Sequence, residues 1–422
     1  MAAKVLGLVC VGGTLALTVR LGEPLAAGWR WVPAGWLLVC GDFLYFSLSG
    51  METAGLALAL LGMAVWERQA WWLGAIAFLL HPEAVLVWPL AALGRSREGW
   101  PLLREGLGFG LLLALVAIAR QVYFGFWLPN TFVAKFSDGS TVAANLVNLA
   151  LGRNPNFPAP LVWVWPLTLV LMVWGAAQLH RTAPRWAWML GAQAATAGIF
   201  GVYTGFDWTG YARYSAPYLP AVFLLLGYAL ANVEKACGPK FAKGAIALAL
   251  ILGLSLAYRE GQMLLPQTLR RYPGYVWASE TLIAPSQWLG SHLPPHWAIA
   301  TRRIGALSYW SRHRVFDYRF GLTEPQVAQA ARQNRRWFET PNDPAVLPLW
   351  RQVQPDALLE DQAVVDYMAQ WPPNSRFADG VLLDGVPYLP MRSFPIGTYL
   401  DSPQRWVLLV RGDRLPLTGS QP

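Results

Sequence analysis

The 422-residue sequence is 55% hydrophobic and only 14% charged, with a mean hydropathy of +0.33. That balance excludes an ordinary soluble globule and fits a polytopic membrane protein. The net charge of +9 is scattered over short loops, so it reads as a topology signal and not as a stripe for nucleic acid, and no nucleic-acid partner is expected.

Taken in chain order, apolar runs at 5–19, 34–49, 50–66, 106–122, 161–178, 187–204, 214–231 and 244–258 predict membrane helices. Several are shorter than the ~20 residues a bilayer normally needs, which calls for tilt or local thinning. Between 70 and 93 an apolar stretch is interrupted by His81-Pro82-Glu83, and each half is too short to cross alone. A bent or re-entrant helical pair is expected there, its freed backbone groups satisfied by protein or a wet cavity. With this pair, about eight to ten membrane helices are predicted for residues 1–258. The 23 tryptophans suit helix ends at the bilayer interface. Cys10, Cys40 and Cys237 lie in or beside apolar segments without metal-ligand spacing and are expected to be small buried residues.

Lysines and arginines divide unevenly between alternate loops, eleven from Arg20 to Lys243 against five from Lys4 to Arg213. The richer set is assigned to the cytoplasm, which turns the 123–160 loop, the 205–213 loop and everything after about 259 outward. The same scheme puts Met1 outside, an odd start that predicts either a misread first span or a preceding helix.

From 259 to 422 prolines and arginines become frequent and short strand-like and helix-like runs alternate. WAIAT (297–301), RVFDY (314–318), DALLE (356–360) and the late WVLLVRG are expected strands, and IGALSYW, TEPQVAQAARQNRRW and VVDYMAQW expected helices. The alternation predicts an α/β domain on a parallel or mixed sheet.

Ionisable groups at membrane depth are costly and therefore candidates for function. Ser49 and Glu52 have capping-box spacing at the start of an apolar helix, and Glu52 could equally bind a hydroxyl or a cation there. His81 and Glu83 flank a helix-breaking proline. In RQVYFGFWLPNTFVAKF (120–136), Asn130, Thr131 and Lys135 follow a run of aromatics, and Lys135 is either a snorkelling lysine or a cation for a lipid-linked phosphate. In TGFDWTGYARYSAPYLP (204–220), Asp207 and Arg213 stand among Phe206, Trp208, Tyr211 and Tyr214, a surface ion pair or a sugar cleft whose rings stack on apolar sugar faces. No HExxH motif or Cys/His cluster points to zinc. No certain cofactor is indicated, and room is left for a divalent cation.

These clusters, in this order, resemble the GT-C integral-membrane glycosyltransferases that use polyprenyl-phosphate sugars, in particular the mycobacterial terminal β-1,2-arabinofuranosyltransferase family. SGMET (49–53) is similar to its SGLET-like motif, HPEA (81–84) to an RPEG-like motif, and YFGFWLPNTFVAK (123–135) to its YYG-x-x-LPNT-x-x-AK-like motif. GFDWTGYAR (205–213) loosely matches GGDxMxxxR, and GALSYWSRHRVFDYRFGLTEP (305–325) matches an outer-domain GxxxYY…VxDxxGLTxP pattern. His81 departs from the pattern by replacing an arginine. The family's Asp-Asp loop, thought to hold its catalytic base, has no counterpart before residue 49, so a truncated or divergent N-terminus is expected.

The resemblance implies a GT-C-like helical module, an extracytoplasmic C-terminal α/β domain and residence in the bacterial cytoplasmic membrane. It implies transfer of a sugar from a polyprenyl-phosphate donor to an envelope glycan, lipid or protein acceptor. Lys135 and Arg213 would then meet the donor phosphate, and Glu52, His81, Glu83, Asn130 and Asp207 would bind sugar or support the site; the catalytic base is left unnamed. Two rivals are a lipid-linked-sugar flippase, for which an inverted repeat is the missing signature, and a catalytically inactive glycan-binding membrane protein.

Overall fold

The alternation of apolar runs with short charged loops becomes, in a computed structural model of the chain, a helical unit and a unit built on a sheet. The structure describes residues 2–48, 52–127, 133, 139–151, 158–163, 165–204, 213–264, 281–334, 338–370, 376–377, 380–399 and 402–415. One unit comprises Met1–Tyr123 and Ser137–Leu264, the other Phe124–Phe136 and Leu265–Pro422.

The helical unit runs through α1 (Ala2–Leu21), α2 (Val32–Leu38), α3 (Gly41–Leu48), α4 (Thr53–Val65), α5 (Ala70–Leu80), α6 (Val87–Ala92) and α7 (Trp100–Phe124). It continues with α8 (Gly139–Ala150), α9 (Trp165–Thr182), α10 (Pro184–Thr204), α11 (Leu219–Ala231) and α12 (Pro239–Leu264). Among the described residues, four helices are long and apolar enough to cross a membrane, and the bent pair Trp29–Leu38 with Gly41–Leu48, angled at 61°, makes a fifth if counted as one span. The helices α4, α9 and α10 overlap the predicted runs at 50–66, 161–178 and 187–204.

Burial sorts these helices by environment. α11 is enclosed at every residue from Leu219 to Leu230, whereas Leu107, Leu111, Leu115, Ile118 and Val122 of α7 are exposed. An apolar helix open to its surroundings needs lipid around it, and an apolar helix with none exposed is the core of the bundle. Gly175 lets α9 lie against α11, because a Cβ there would run into the Leu225 carbonyl. Polar side chains inside the unit are tied to backbone: the Tyr228 hydroxyl donates to Leu21 O at 2.6 Å, Gln193 Nε2 to Leu60 O at 2.7 Å and Trp36 Nε1 to Ala249 O at 3.0 Å. Thr14 and Thr18 donate back to the carbonyls four residues earlier, at 2.8 Å each. Such closure is what an apolar solvent demands. Cys40 is buried, Cys10 is half-buried and Cys237 is exposed, so the expectation of three buried cysteines holds for one of them.

In the other unit, β1 (Ala298–Thr301), β2 (Arg314–Asp317), β3 (Ala357–Asp361), β4 (Arg376–Phe377), β5 (Gly380–Leu383), β6 (Val386–Tyr399) and β7 (Ser402–Arg411) form one sheet in the order β2-β1-β3-β7-β6-β5-β4. β2, β1 and β3 run parallel, and β3 to β4 alternate antiparallel, so the sheet is mixed. α13 (Ile283–His292), α14 (Ile304–Ser311), α15 (Pro325–Asn334), α16 (Leu347–Val353) and α17 (Gln362–Gln370) supply the helices. Two apolar clusters form: Phe316, Phe338, Trp350, Leu358 and Leu409 belong to one, and Leu289, Ile299, Leu307, Leu359 and Leu408 to the other. Neighbouring residues of β3 and β7 fall in different clusters, as the period of two requires when both faces of a sheet are covered.

Candidate functional site

The break at His81-Pro82-Glu83 follows from local chemistry. Proline has no N–H to continue the helix and pushes the preceding residue out of the α region. His81 accordingly sits at φ −151°, ψ 121°, its own N–H still bonded to Ala77 O at 2.8 Å, and a 3-10 turn over Pro82–Leu86 follows. This geometry swings the imidazole across to Glu83, whose Oε2 contacts His81 Nδ1 and which is buried.

Glu52 reaches the same point from α4, which packs antiparallel to α5. It occupies the N-cap position of α4, but its carboxylate makes no capping hydrogen bond; Oε1 lies 3.8 Å from His81 Nε2. The other half of the expected capping box, Ser49, falls outside the described residues. A histidine thus stands between two carboxylates, one buried at Nδ1 and one about a third exposed beyond Nε2.

An aromatic wall extends the cluster. Phe200, near the end of α10, meets the His81 ring edge-on at 6.1 Å and Tyr214 edge-on at 5.3 Å. The Arg213 guanidinium lies 5.0 Å from the centroid of the Tyr214 ring and donates to its hydroxyl at 3.3 Å. Tyr218, in the 3-10 turn Ala216–Tyr218 ahead of α11, is fully buried. Its hydroxyl has no hydrogen-bond partner among the described residues. The ends of α4, α5, α10 and α11 therefore converge on one acidic, aromatic and cationic cluster.

Of the residues expected to form a site, Glu52, His81, Glu83 and Arg213 are brought together, while Asn130, Lys135 and Asp207 lie outside the described residues. Phe200 and Tyr218 were missed. Each is apolar enough to pass as packing, and the only signal was position, at a helix end beside a polar loop. Among the described residues no group of three His, Cys, Asp or Glu side chains is placed to hold a metal ion.

A second charged cluster lies at the carboxyl ends of the parallel strands, where β1 turns to β2 on one side and has β3 on the other. Ligands commonly bind at such a reversal of strand order. Here the groups are spent on one another. Fully buried Glu360 takes the Arg302 N–H at 2.6 Å and the Tyr318 hydroxyl at 2.9 Å on Oε1, and Arg302 Nε at 3.3 Å on Oε2. Arg302 Nη1 reaches Glu339 at 2.9 Å and Nη2 reaches Asp361 at 3.6 Å. Burial pushes the Glu360 carboxyl above the ordinary carboxylate range, with Arg302 pulling the other way. Burial works against the Arg302 charge, but Glu360 leads the groups that outweigh it and hold the guanidinium above its usual value.

Next to it, the VFDYRFGLTEP segment closes on itself. Asp317 Oδ1 accepts the N–H groups of Arg319 and Phe320 at 3.0 Å each, and Oδ2 accepts that of Leu322 at 2.9 Å. Gly321 at φ 68° fits where a side chain would strike the Ala328 backbone. The most specific outer-domain motif therefore serves to hold a loop. Burial still leaves Asp317 above its ordinary value despite these N–H donors.

Residues 274–404 match a family described as a domain of unknown function, DUF8728. A search of curated proteins finds no sequence relative. Among solved structures, ArnT from Cupriavidus metallidurans bound to undecaprenyl phosphate aligns over 99% of this chain and 85% of its own, at 13% identity and a TM-score of 0.49. A likeness at that level decides neither fold family nor chemistry.

Proposed function

We propose that this chain is a membrane glycosyltransferase, moving a sugar from a polyprenyl-phosphate donor to a hydroxyl of an envelope glycan, lipid or protein on the outer face of the bacterial cytoplasmic membrane. The observation that carries the reading is the meeting of Glu52, His81, Glu83, Phe200, Tyr214 and Arg213 at the shared end of four helices. These residues come from three separate motifs of the GT-C resemblance and from the helix between them. An oligosaccharide-type substrate needs rings for its apolar faces, carboxylates for its hydroxyls and a cation for the phosphate that leaves. The cluster holds two such rings, two carboxylates and one cation.

Arg213 would stabilise the departing polyprenyl phosphate together with Lys135, and Glu52 would hold sugar hydroxyls, with Asn130 and Asp207 as further sugar contacts. In this reading the C-terminal unit is the extracytoplasmic domain that meets the acceptor. The test is transfer by purified full-length protein in detergent or nanodiscs, with radiolabelled pentosyl and hexosyl polyprenyl phosphates as donors. Donor-dependent labelling of an envelope-glycan acceptor that falls at least tenfold in both Arg213→Ala and Lys135→Ala is the expected result. Labelling indifferent to both substitutions would refute the assignment, and no labelling from any donor would refute the function.

A further inference from the structure

Proton removal from the acceptor hydroxyl needs a base with an available lone pair at the surface of the cluster. Glu83 is too buried to meet a substrate, with a side chain only 4% exposed. Glu67 and Glu105 are each taken up by an arginine, Arg185 and Arg95 respectively, at 2.7 Å. His81 differs. Its Nδ1 faces buried Glu83, while its Nε2 points to the more open side, where Glu52 Oε1 stands 3.8 Å away. That gap is too long for a hydrogen bond between the two. An oxygen about 2.8 Å from both would bridge it.

A carboxylate on one ring nitrogen fixes the tautomer and leaves the lone pair on the other. Nδ1 lies against Glu83 Oε2 without a hydrogen bond among the described residues, and a small turn of the ring that lets Glu83 accept the Nδ1 proton leaves Nε2 as the acceptor. The edge-on ring of Phe200 flanks the imidazole, and the extended backbone imposed by Pro82 sets where the side chain starts. Among the described residues, the groups recorded against His81 are Glu52 from α4, Glu83 from the break itself and uncharged Phe200 from α10.

We propose that His81 is the general base of the transfer, that Glu83 is the residue that positions it, and that Glu52 gives the acceptor hydroxyl its second hydrogen-bond partner. The proposal rests on the glycosyltransferase reading. In the step, a lone pair of the acceptor oxygen forms a bond to the anomeric carbon, and the bond from that carbon to the phosphate oxygen breaks. Its electron pair leaves with the polyprenyl phosphate, and the hydroxyl proton passes to His81 Nε2. The imidazolium then lies between two carboxylates until the proton returns to water. The arginine of the motif that His81 resembles could hold a phosphate but could not take this proton, so the histidine is a change of chemistry.

The experiment compares wild type with His81→Gln, His81→Arg and Glu83→Gln in full-length protein. It measures kcat and KM with the donor that the transfer assay identifies, and binding of undecaprenyl phosphate by native mass spectrometry. Expected are a kcat ~10²–10⁴-fold lower in both His81 variants, an intermediate loss of kcat in Glu83→Gln, KM within about threefold throughout, and undecaprenyl phosphate still bound. Full turnover in His81→Arg would overturn the proposal and leave a phosphate clamp in its place. Full turnover in His81→Gln would overturn it while the glycosyltransferase reading stood. A wild type that transfers from no donor would bring down both.

Discussion

Arg302 is the keystone of the charged cluster at the carboxyl ends of β1 and β3, and replacing it by methionine tests how that cluster is held. The change keeps the stem of the side chain but leaves Glu360, fully buried, facing only the Arg302 N–H and the Tyr318 hydroxyl. Removing one member of a buried pair costs about 3–5 kcal/mol, because the remaining charge has lost both water and partner. At about 1.4 kcal/mol per factor of ten, that loss means roughly two to four orders of magnitude faster opening of β1 and β3. Hydrogen exchange of peptides covering 298–302 and 357–361 in the detergent-solubilised protein reads this directly. The double variant Arg302→Met with Glu360→Gln removes the stranded charge and recovers most of the loss.

The pH dependence has a definite sign. Burial holds the Glu360 carboxyl above its unfolded value of about 4.3, so folding takes up a proton between that value and the raised one. This group's contribution to stability therefore falls as pH rises through that window, more steeply once Arg302 no longer opposes the rise. Protection unchanged in the single variant, or a double variant no better than the single, would refute the argument.

Other outcomes follow from the same structure. Asp317→Ala strands three backbone N–H groups and is expected to cost about 2–4 kcal/mol, read as faster exchange in peptides covering 314–325. Gly175→Leu forces α9 from the Leu225 carbonyl and is expected to give aggregated protein on size-exclusion chromatography. Gly198→Ala, whose new methyl would come no nearer than 4.0 Å to Leu149, should run as wild type. Tyr228→Phe loses the 2.6 Å bond to Leu21 O and should lower stability by about 1–2 kcal/mol, seen as a lower midpoint in a thermal unfolding scan.

The parallel strands were legible because each is a short apolar run between charges, as in AIAT and RVFD. β6 was not. VPYLPMRSFPIGTY carries three prolines, a pattern that argues against a strand. The sheet accepts it by bulging between Pro390 and Arg392 and again between Pro395 and Gly397, on a stretch paired with β7 alone. In the helical unit, the closeness of His81 and Glu83 could be anticipated from a proline between neighbours. The approach of Glu52 could not, since capping-box spacing gave that residue a sufficient local role. Only the antiparallel packing of α4 on α5 carries it to the imidazole instead.

The place of β7 in the sheet has a consequence for how the protein is made. β7 spans Ser402–Arg411 yet lies between β3 and β6, with Leu358 registered against Leu409. β3 must wait for nearly fifty further residues before it acquires that neighbour, about 2–10 s at ordinary rates of synthesis. Until then the parallel half presents an apolar strand with an open edge, a template for the wrong partner. Synthesis of the chain and completion of the sheet are thereby linked in time, and the nascent domain is most exposed to aggregation and proteolysis just before its last strand is delivered.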